Sequence, residues 1–76
     1  MSRLPGVSGR QVICALERAG FVLARAEGSH HVMEHPDDPT RTATIPVHGA
    51  KTIRKGTLHS ILKQAGLTVD EFSNLL

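Results

Sequence analysis

Three of the five histidines of the chain lie within the segment "HHVMEH", His30 to His35. Imidazole gains and loses its proton near neutral pH, so a histidine held at a strand end and open to solvent can transfer protons. Histidine is also a common metal ligand and a side chain that packs against helices. The segment therefore has three interpretations: catalysis, metal binding or a structural role.

Metal binding is the least favoured of the three interpretations. Strand side chains alternate between faces, so His30 points away from both His31 and His35. His31 and His35 share a face but are roughly 13 Å apart, whereas the ligands of one zinc ion bond at about 2 Å. The chain has no H-E-x-x-H motif and a single cysteine. The one metal site that these arguments leave as an alternative would combine a strand histidine with distant His48 or His59. We predict no metal or other cofactor.

A nucleophilic side chain does not accompany these histidines. Ser29 precedes His30, but adjacent strand residues face opposite sides, which disfavours a serine hydrolase. We expect Cys14 to pack as a small hydrophobic residue on the first helix. The catalytic interpretation rests instead on His30, which follows a Gly-Ser turn. The structural alternative is that either His30 or His31 packs its ring against a helix.

A basic segment, "RKGTL", marks a possible phosphate site. Arg54 and Lys55 precede Gly56 and Thr57 at the predicted start of a helix, and Lys51 lies just upstream. Helix N-termini offer free backbone donors and a partial positive charge, and flanking bases attract phosphate. The alternative is that Gly-Thr only begins the helix while the bases are solvated.

The helices that would position these residues begin and end at recognisable signals. Ser8 and Gln11 have the spacing of a capping box and predict a first helix that Gly20 ends. Thr57 is the predicted cap of a second helix, and Gly66 ends it. A short last helix follows a second capping box, formed by residues 68 and 71.

Between the first two helices the pattern predicts three strands, at 21–26, 30–35 and 41–47. Turn residues separate them: "EGS" in the first case and "PDDP", residues 36–39, in the second. The prediction is an α+β fold of order α-β-β-β-α with a short additional helix. Its three-stranded antiparallel sheet would carry the helices on one face and leave the other open.

Composition indicates a small chain with a thin core. The 76 residues carry a net charge of +2, and Phe21 and Phe72 are the only aromatic residues, so aliphatic side chains must form the core. Acidic residues gather at 34–38 and 70–71, with most of the bases between them. The N-terminus lacks a long apolar run, so we predict neither a signal peptide nor a membrane span, and a cytoplasmic location.

Four segments, "ALERAGF", "GSHHVMEHP", "TIPVHG" and "KGTLHSILKQAGL", together resemble the HicA toxin family, and the resemblance extends from about Ser8 to Leu75. It implies a fold like that of double-stranded-RNA-binding domains, formed by residues 1–76 as one domain. It also implies a bacterial toxin that cleaves messenger RNA and is silenced by a HicB-type antitoxin. We expect such cleavage to need no metal, because charge stabilisation can come from the protein, and we predict no membrane and no direct DNA partner.

The resemblance also assigns roles to individual residues. The histidine after Gly-Ser, His30 here, is the essential catalytic residue of the family. Some members carry it one place later, at the position of His31, so both stay candidates. The histidine of "VHG", His48, recurs in the family. Met33 occupies a position that is aromatic in many relatives, which would weaken stacking on a base.

Two other function classes compete with a ribonuclease. An RNA-binding module without chemistry would bind RNA and leave it intact, although the modest net charge disfavours it. A protein-interaction domain that used the open sheet face would show no salt-dependent RNA binding.

Overall fold

The structure is a computed structural model and describes residues 3–76. Its elements follow the predicted order: α1 (Gly9–Arg18), β1 (Val22–Glu27), β2 (His30–His35), β3 (Asp38–Pro46), α2 (Lys55–Ala65) and α3 (Val69–Ser73). The strands form an antiparallel sheet in the order β1-β2-β3. This arrangement confirms the predicted α+β fold, which is like that of double-stranded-RNA-binding domains.

Helix α1 begins at the predicted capping box. The Gln11 side chain accepts the Ser8 N–H at 2.8 Å, and the Ser8 hydroxyl accepts the Gln11 N–H at 3.4 Å. Val12 and Leu16 on the apolar stripe are fully buried. Cys14 is exposed, so the prediction of a packed thiol is wrong. Two residues turn a helix by about 200°, so Cys14 lies on the side opposite Val12.

Helix α2 begins earlier than predicted. Its N-cap is Arg54, without a side-chain cap, and Thr57 lies inside the first turn, so the prediction of a Thr57 cap is wrong. The physical reason is burial: Ile53 and Leu58 are 8% and 1% exposed and flank this turn at the spacing of a hydrophobic staple. A helix that began at Thr57 would lose that paired anchor.

The second turn of the sheet is shorter than the predicted "PDDP" loop. Only Pro36 and Asp37 form it, and β3 begins at Asp38 instead of residue 41. The Asp38 carboxylate accepts the Thr40 hydroxyl at 2.6 Å and the Thr40 N–H at 3.2 Å, which holds the start of the strand. Because β3 is an edge strand, the missing N–H of Pro39 is tolerated there.

The core lies between the helices and one face of the sheet. Met33 contributes from β2, Ala43 and Ile45 from β3, and all three are fully buried. Both α1 and α2 pack on β3, whereas every residue of β1 is exposed. The helices therefore cover one side of the sheet unevenly. Along residues 3–76, no helix combines the length and apolar character needed to cross a membrane.

Candidate active site

The loop between β3 and α2, residues 47–54, is held at both ends by backbone hydrogen bonds. At one end, the Val47 N–H donates to the Ser29 carbonyl at 2.6 Å, which ties the loop to the turn before β2. At the other end, the Ile53 N–H donates to the Val7 carbonyl at 2.8 Å. The loop is therefore anchored to two remote parts of the chain.

A tight turn inside this loop presents two polar side chains. The Lys51 N–H donates to the His48 carbonyl at 3.1 Å, and Gly49 between them has a φ of 61°. That left-handed conformation strains residues with a side chain and explains the glycine. His48 and Lys51 stand at the two ends of the turn, and both are exposed.

Next to the turn lies a cleft of about 250 Å³, which we call the β3–α2 cleft. Its lining residues come from the end of β3, the loop and the start of α2: Pro46, His48, Lys51, Thr52, Ile53, Arg54 and Thr57. Two of these carry a positive charge and none carries a negative one. The first turn of α2 has no side-chain cap, so its N–H groups add partial positive charge. The cleft is therefore suited to an anion such as a phosphate.

The structure brings together three of the five predicted phosphate-site residues, Lys51, Arg54 and Thr57, and separates the other two. Lys55 lines a different groove on α2. Gly56 is exposed, and a methyl group added there would meet nothing within 4 Å. Sequence spacing alone could not show this split, because Arg54 and Lys55 are adjacent.

His30 is connected to this cleft through the pairing of β2 with β3. It is the direct strand partner of Pro46, which lines the cleft, and paired residues project from the same face of a sheet. His30 is exposed, whereas Val32, two residues along the same face, is half-buried. An imidazole at this position is free of the core and reachable by solvent or substrate.

His31 projects from the other face of the sheet. Its strand partner is Ile45, which is fully buried, and Met33 on the same face is also fully buried. His31 itself is half-buried. The two adjacent histidines therefore differ in surroundings: His30 is on the open face of the sheet and His31 is on the face that carries the core.

His35 has a structural environment at the far end of β2. Its ring packs edge-on against Phe21 with centroids 5.1 Å apart, and Nδ1 accepts the Asp37 N–H at 3.2 Å. Hydrogen bonds from Thr40, foremost its hydroxyl, lower the pKa of Asp38, with smaller contributions from the charges of Arg41 and His35. This end of the sheet is stabilised by local pairing and lies away from the cleft.

No group of three His, Cys, Asp or Glu side chains within residues 3–76 is arranged to hold a metal ion. Sequence reasoning did not identify Pro46 as the link between His30 and the cleft. The signal lies in the strand register: the pairing shifts by three residues of β3 between Glu34 and His35, and beyond this shift His30 pairs with Pro46. The shift is not apparent in the sequence pattern.

Comparison with known families gives one match. The model of a family described as the HicA toxin of bacterial toxin–antitoxin matches residues 9–67. The matched range includes α1, the whole sheet, the loop of the cleft and α2. A search of curated proteins found no match.

Proposed function

Because the chain belongs to the HicA toxin family of bacterial toxin–antitoxin systems, we propose that it is an endoribonuclease that cleaves messenger RNA. One observation carries the proposal: His48, Lys51 and Arg54 share a cleft whose edge is Pro46, the strand partner of His30. This arrangement supports a site in which two candidate proton carriers and two cations act on one phosphate. We infer that a HicB-type antitoxin silences the enzyme by covering this cleft. We also infer that the enzyme acts in the cytoplasm, where messenger RNA is found.

In this proposal the scissile phosphate lies between the cations of the cleft. Lys51 and Arg54 contact its non-bridging oxygens, and the N–H groups of the first turn of α2 add hydrogen bonds. These donors would stabilise the charge that grows on the phosphate during the reaction. Lys55 and Gly56, which do not line the cleft, would help to hold the adjoining backbone.

The reaction uses the nucleophile that RNA itself carries. The ribose 2′-OH attacks the phosphorus, and His30 accepts the proton of that hydroxyl as general base. The P–O bond to the 5′-oxygen breaks, and the leaving oxygen takes a proton from the general acid, for which His48 is our candidate. The products are a 2′,3′-cyclic phosphate and a 5′-hydroxyl end. DNA lacks the 2′-OH and would not be cleaved.

The test is RNA cleavage by the purified protein in excess EDTA, alongside His30→Ala and His31→Ala, with folding matched by circular dichroism. We expect the wild type to leave 2′,3′-cyclic phosphate ends, and His30→Ala to lose about 10²–10⁴-fold in rate. His31→Ala is the matched control, because it removes the adjacent imidazole from the opposite face of the strand.

Three outcomes would contradict parts of the proposal. Products with a 5′-phosphate and a 3′-hydroxyl would exclude attack by the 2′-OH. A large loss in His31→Ala, with His30→Ala unaffected, would move the catalytic role to His31. Binding of RNA without cleavage, with and without the antitoxin and in translating extracts, would favour a non-catalytic RNA-binding module.

A further inference from the structure

A second groove runs along α2, outside the β3–α2 cleft. It consists of two cavities, of about 720 Å³ and about 250 Å³, that share His59 and Val69. Arg3 and Lys55 border the first cavity, and Lys63 borders the second. Because they share two lining residues, the cavities form one continuous depression between α2, the start of α3 and the N-terminal segment. We call it the α2 groove.

The basic side chains of the α2 groove are regularly spaced. Lys55, His59 and Lys63 are four residues apart in turn, so they form one row along the exposed side of the helix. The row is about 12 Å long. No carboxylate lines either cavity; Asp70 and Glu71 follow Val69 in sequence but border neither of them. The groove therefore presents a row of two lysines with a histidine between them to a ligand.

Neighbouring residues of the chain line the α2 groove and the β3–α2 cleft. Arg54 lines the cleft, and Lys55, the next residue, lines the groove. A chain of phosphates that passed Arg54 would reach Lys55 at the start of the helix and could follow the row to Lys63. One polyanion can thus occupy both depressions.

We propose that the α2 groove binds the phosphate backbone of the RNA strand that flanks the cleavage site. This inference rests on the proposed ribonuclease function. It adds that the enzyme contacts RNA beyond the nucleotides at the cleavage site. The three basic side chains stand about 6 Å apart along the helix and would contact a few consecutive phosphates of the strand. A ribodinucleotide occupies the cleft alone, whereas a longer strand also fills the groove.

RNA fits the α2 groove better than a protein segment does. Protein interfaces need large side chains that anchor in pockets. The large apolar side chains that are exposed within residues 3–76 are Val22, Leu23 and Leu76, and none of them lines the groove. The apolar residues that do line the groove, Leu4, Leu62, Leu67 and Val69, are buried or half-buried, so the row of basic side chains is its most exposed part. An exposed basic row suits a polymer of evenly spaced negative charges.

The experiment measures RNA affinity as a function of salt in a His30→Ala background, which separates binding from cleavage. The probes are a 12-nucleotide single-stranded RNA and a ribodinucleotide. The variant is Lys63→Gln, and the matched control is Arg25→Gln, which removes the same charge from β1, where Arg25 pairs with Glu27 at 2.8 Å. Gln is a good helix former, so we expect α2 to stay intact.

One lost phosphate contact lowers the slope of log K against log salt by about 0.7 and, at 0.1 M salt, the affinity by about fivefold. We expect this change for Lys63→Gln with the 12-nucleotide RNA only, and no change for Arg25→Gln or for the dinucleotide. Equal losses in both variants, or no loss in Lys63→Gln, would overturn the inference. So would a Lys63→Gln protein that binds RNA normally but binds the antitoxin more weakly.

The two proposals fail separately. If the wild type does not cleave RNA but Lys63→Gln shows the expected loss of affinity, the ribonuclease proposal is wrong and the α2 groove is still a nucleic-acid site. If the wild type cleaves RNA and Lys63→Gln binds the long RNA as tightly as its parent, the groove inference alone is wrong.

Discussion

At the scale of single residues, the proposed mechanism needs His30 and His48, which come from separate segments, at one phosphate. His30 depends on its register with Pro46, and His48 depends on the turn that its own carbonyl forms with the Lys51 N–H. Their roles as base and acid are a proposal, and pH dependence distinguishes them. A general base must be unprotonated, so its titration lowers activity at low pH, whereas a general acid lowers activity at high pH.

We therefore predict that His48→Gln removes the high-pH limb of the pH–rate profile and slows cleavage by about 10²–10⁴-fold. The measurement is kcat/KM for a ribodinucleotide between pH 5 and pH 9. Lys51→Gln is the comparison, because the loss of a phosphate contact lowers kcat/KM without changing the shape of the profile. An unchanged profile in His48→Gln would assign the acid to another group.

Glu71 is a residue whose charge contributes to stability. Its carboxylate accepts the Thr68 N–H at 2.9 Å, and this bond, the Thr68 hydroxyl and the charge of Arg41 lower the pKa of Glu71. A carboxyl group whose pKa is lower in the folded state stabilises it fully above the unfolded pKa, about 4.3 for glutamate. That stabilisation disappears as the pH falls through the folded-state value.

We expect Glu71→Gln to flatten the loss of stability in acid. Glutamine still closes a capping box, as Gln11 does in α1, but it does not titrate. Urea unfolding at pH 7 and below pH 4 should show a smaller difference for Glu71→Gln than for the wild type. Asp38, whose pKa is also lowered, is present in both proteins, so its contribution to the pH dependence of stability is the same in each. Parallel curves for the two proteins would show that Glu71 is not responsible.

At the scale of elements, the start of α1 lies close against the end of β3. A methyl group on Gly9 would overlap the Pro46 carbonyl oxygen and would also lie 3.1 Å from the Val47 Cα. Backbone atoms cannot turn aside as a flexible side chain can. Glycine at this position thus permits the contact between α1 and β3, although glycine is a poor helix former.

We predict that Gly9→Ala destabilises the protein by about 1–3 kcal/mol, the usual cost of overpacking. Gly56→Ala is the matched control: it also lies in the first turn of a helix, but its added methyl meets no atom within 4 Å. There we expect no loss, or a gain of up to about 1 kcal/mol, from helix propensity. Urea denaturation of both variants tests the contrast, and equal destabilisation would exclude a steric cause.

At the scale of the whole molecule, packing is uneven across the sheet. Both long helices pack on β3, so that edge is thick, while β1 extends beyond them with Val22 51% and Leu23 52% exposed. A 76-residue chain has few apolar side chains and concentrates their burial on one half of the sheet. The covered half is the one that carries the β3–α2 cleft.

Two leucine truncations should show this asymmetry. Leu16→Ala removes a fully buried side chain and should cost about 2–5 kcal/mol. Leu23→Ala removes a half-exposed one and should cost about 1 kcal/mol or less. Chemical denaturation gives both values. A Leu23→Ala cost close to that of Leu16→Ala would mean that β1 is covered in solution, for instance by a second copy of the chain.

Local sequence signals determined much of the architecture. The two capping boxes, the extent of β2 and the alternation that separates His30 from His31 follow from interactions within a few residues, so they could be read directly. The family resemblance, the order of elements and the presence of His30 at a strand end are also carried by the sequence. Whether these residues catalyse RNA cleavage is a prediction that the experiments above test.

Tertiary structure alone decided how the segments meet. The shift in pairing between Glu34 and His35 goes with the register that pairs His30 with Pro46, and the burial of Ile53 and Leu58 moves the N-cap of α2 to Arg54. As a result, adjacent Arg54 and Lys55 line two different depressions. These features depend on contacts between residues that are remote in sequence. Another element of the fold supplies the burial or the backbone pairing in each case, so the local sequence pattern could not predict them.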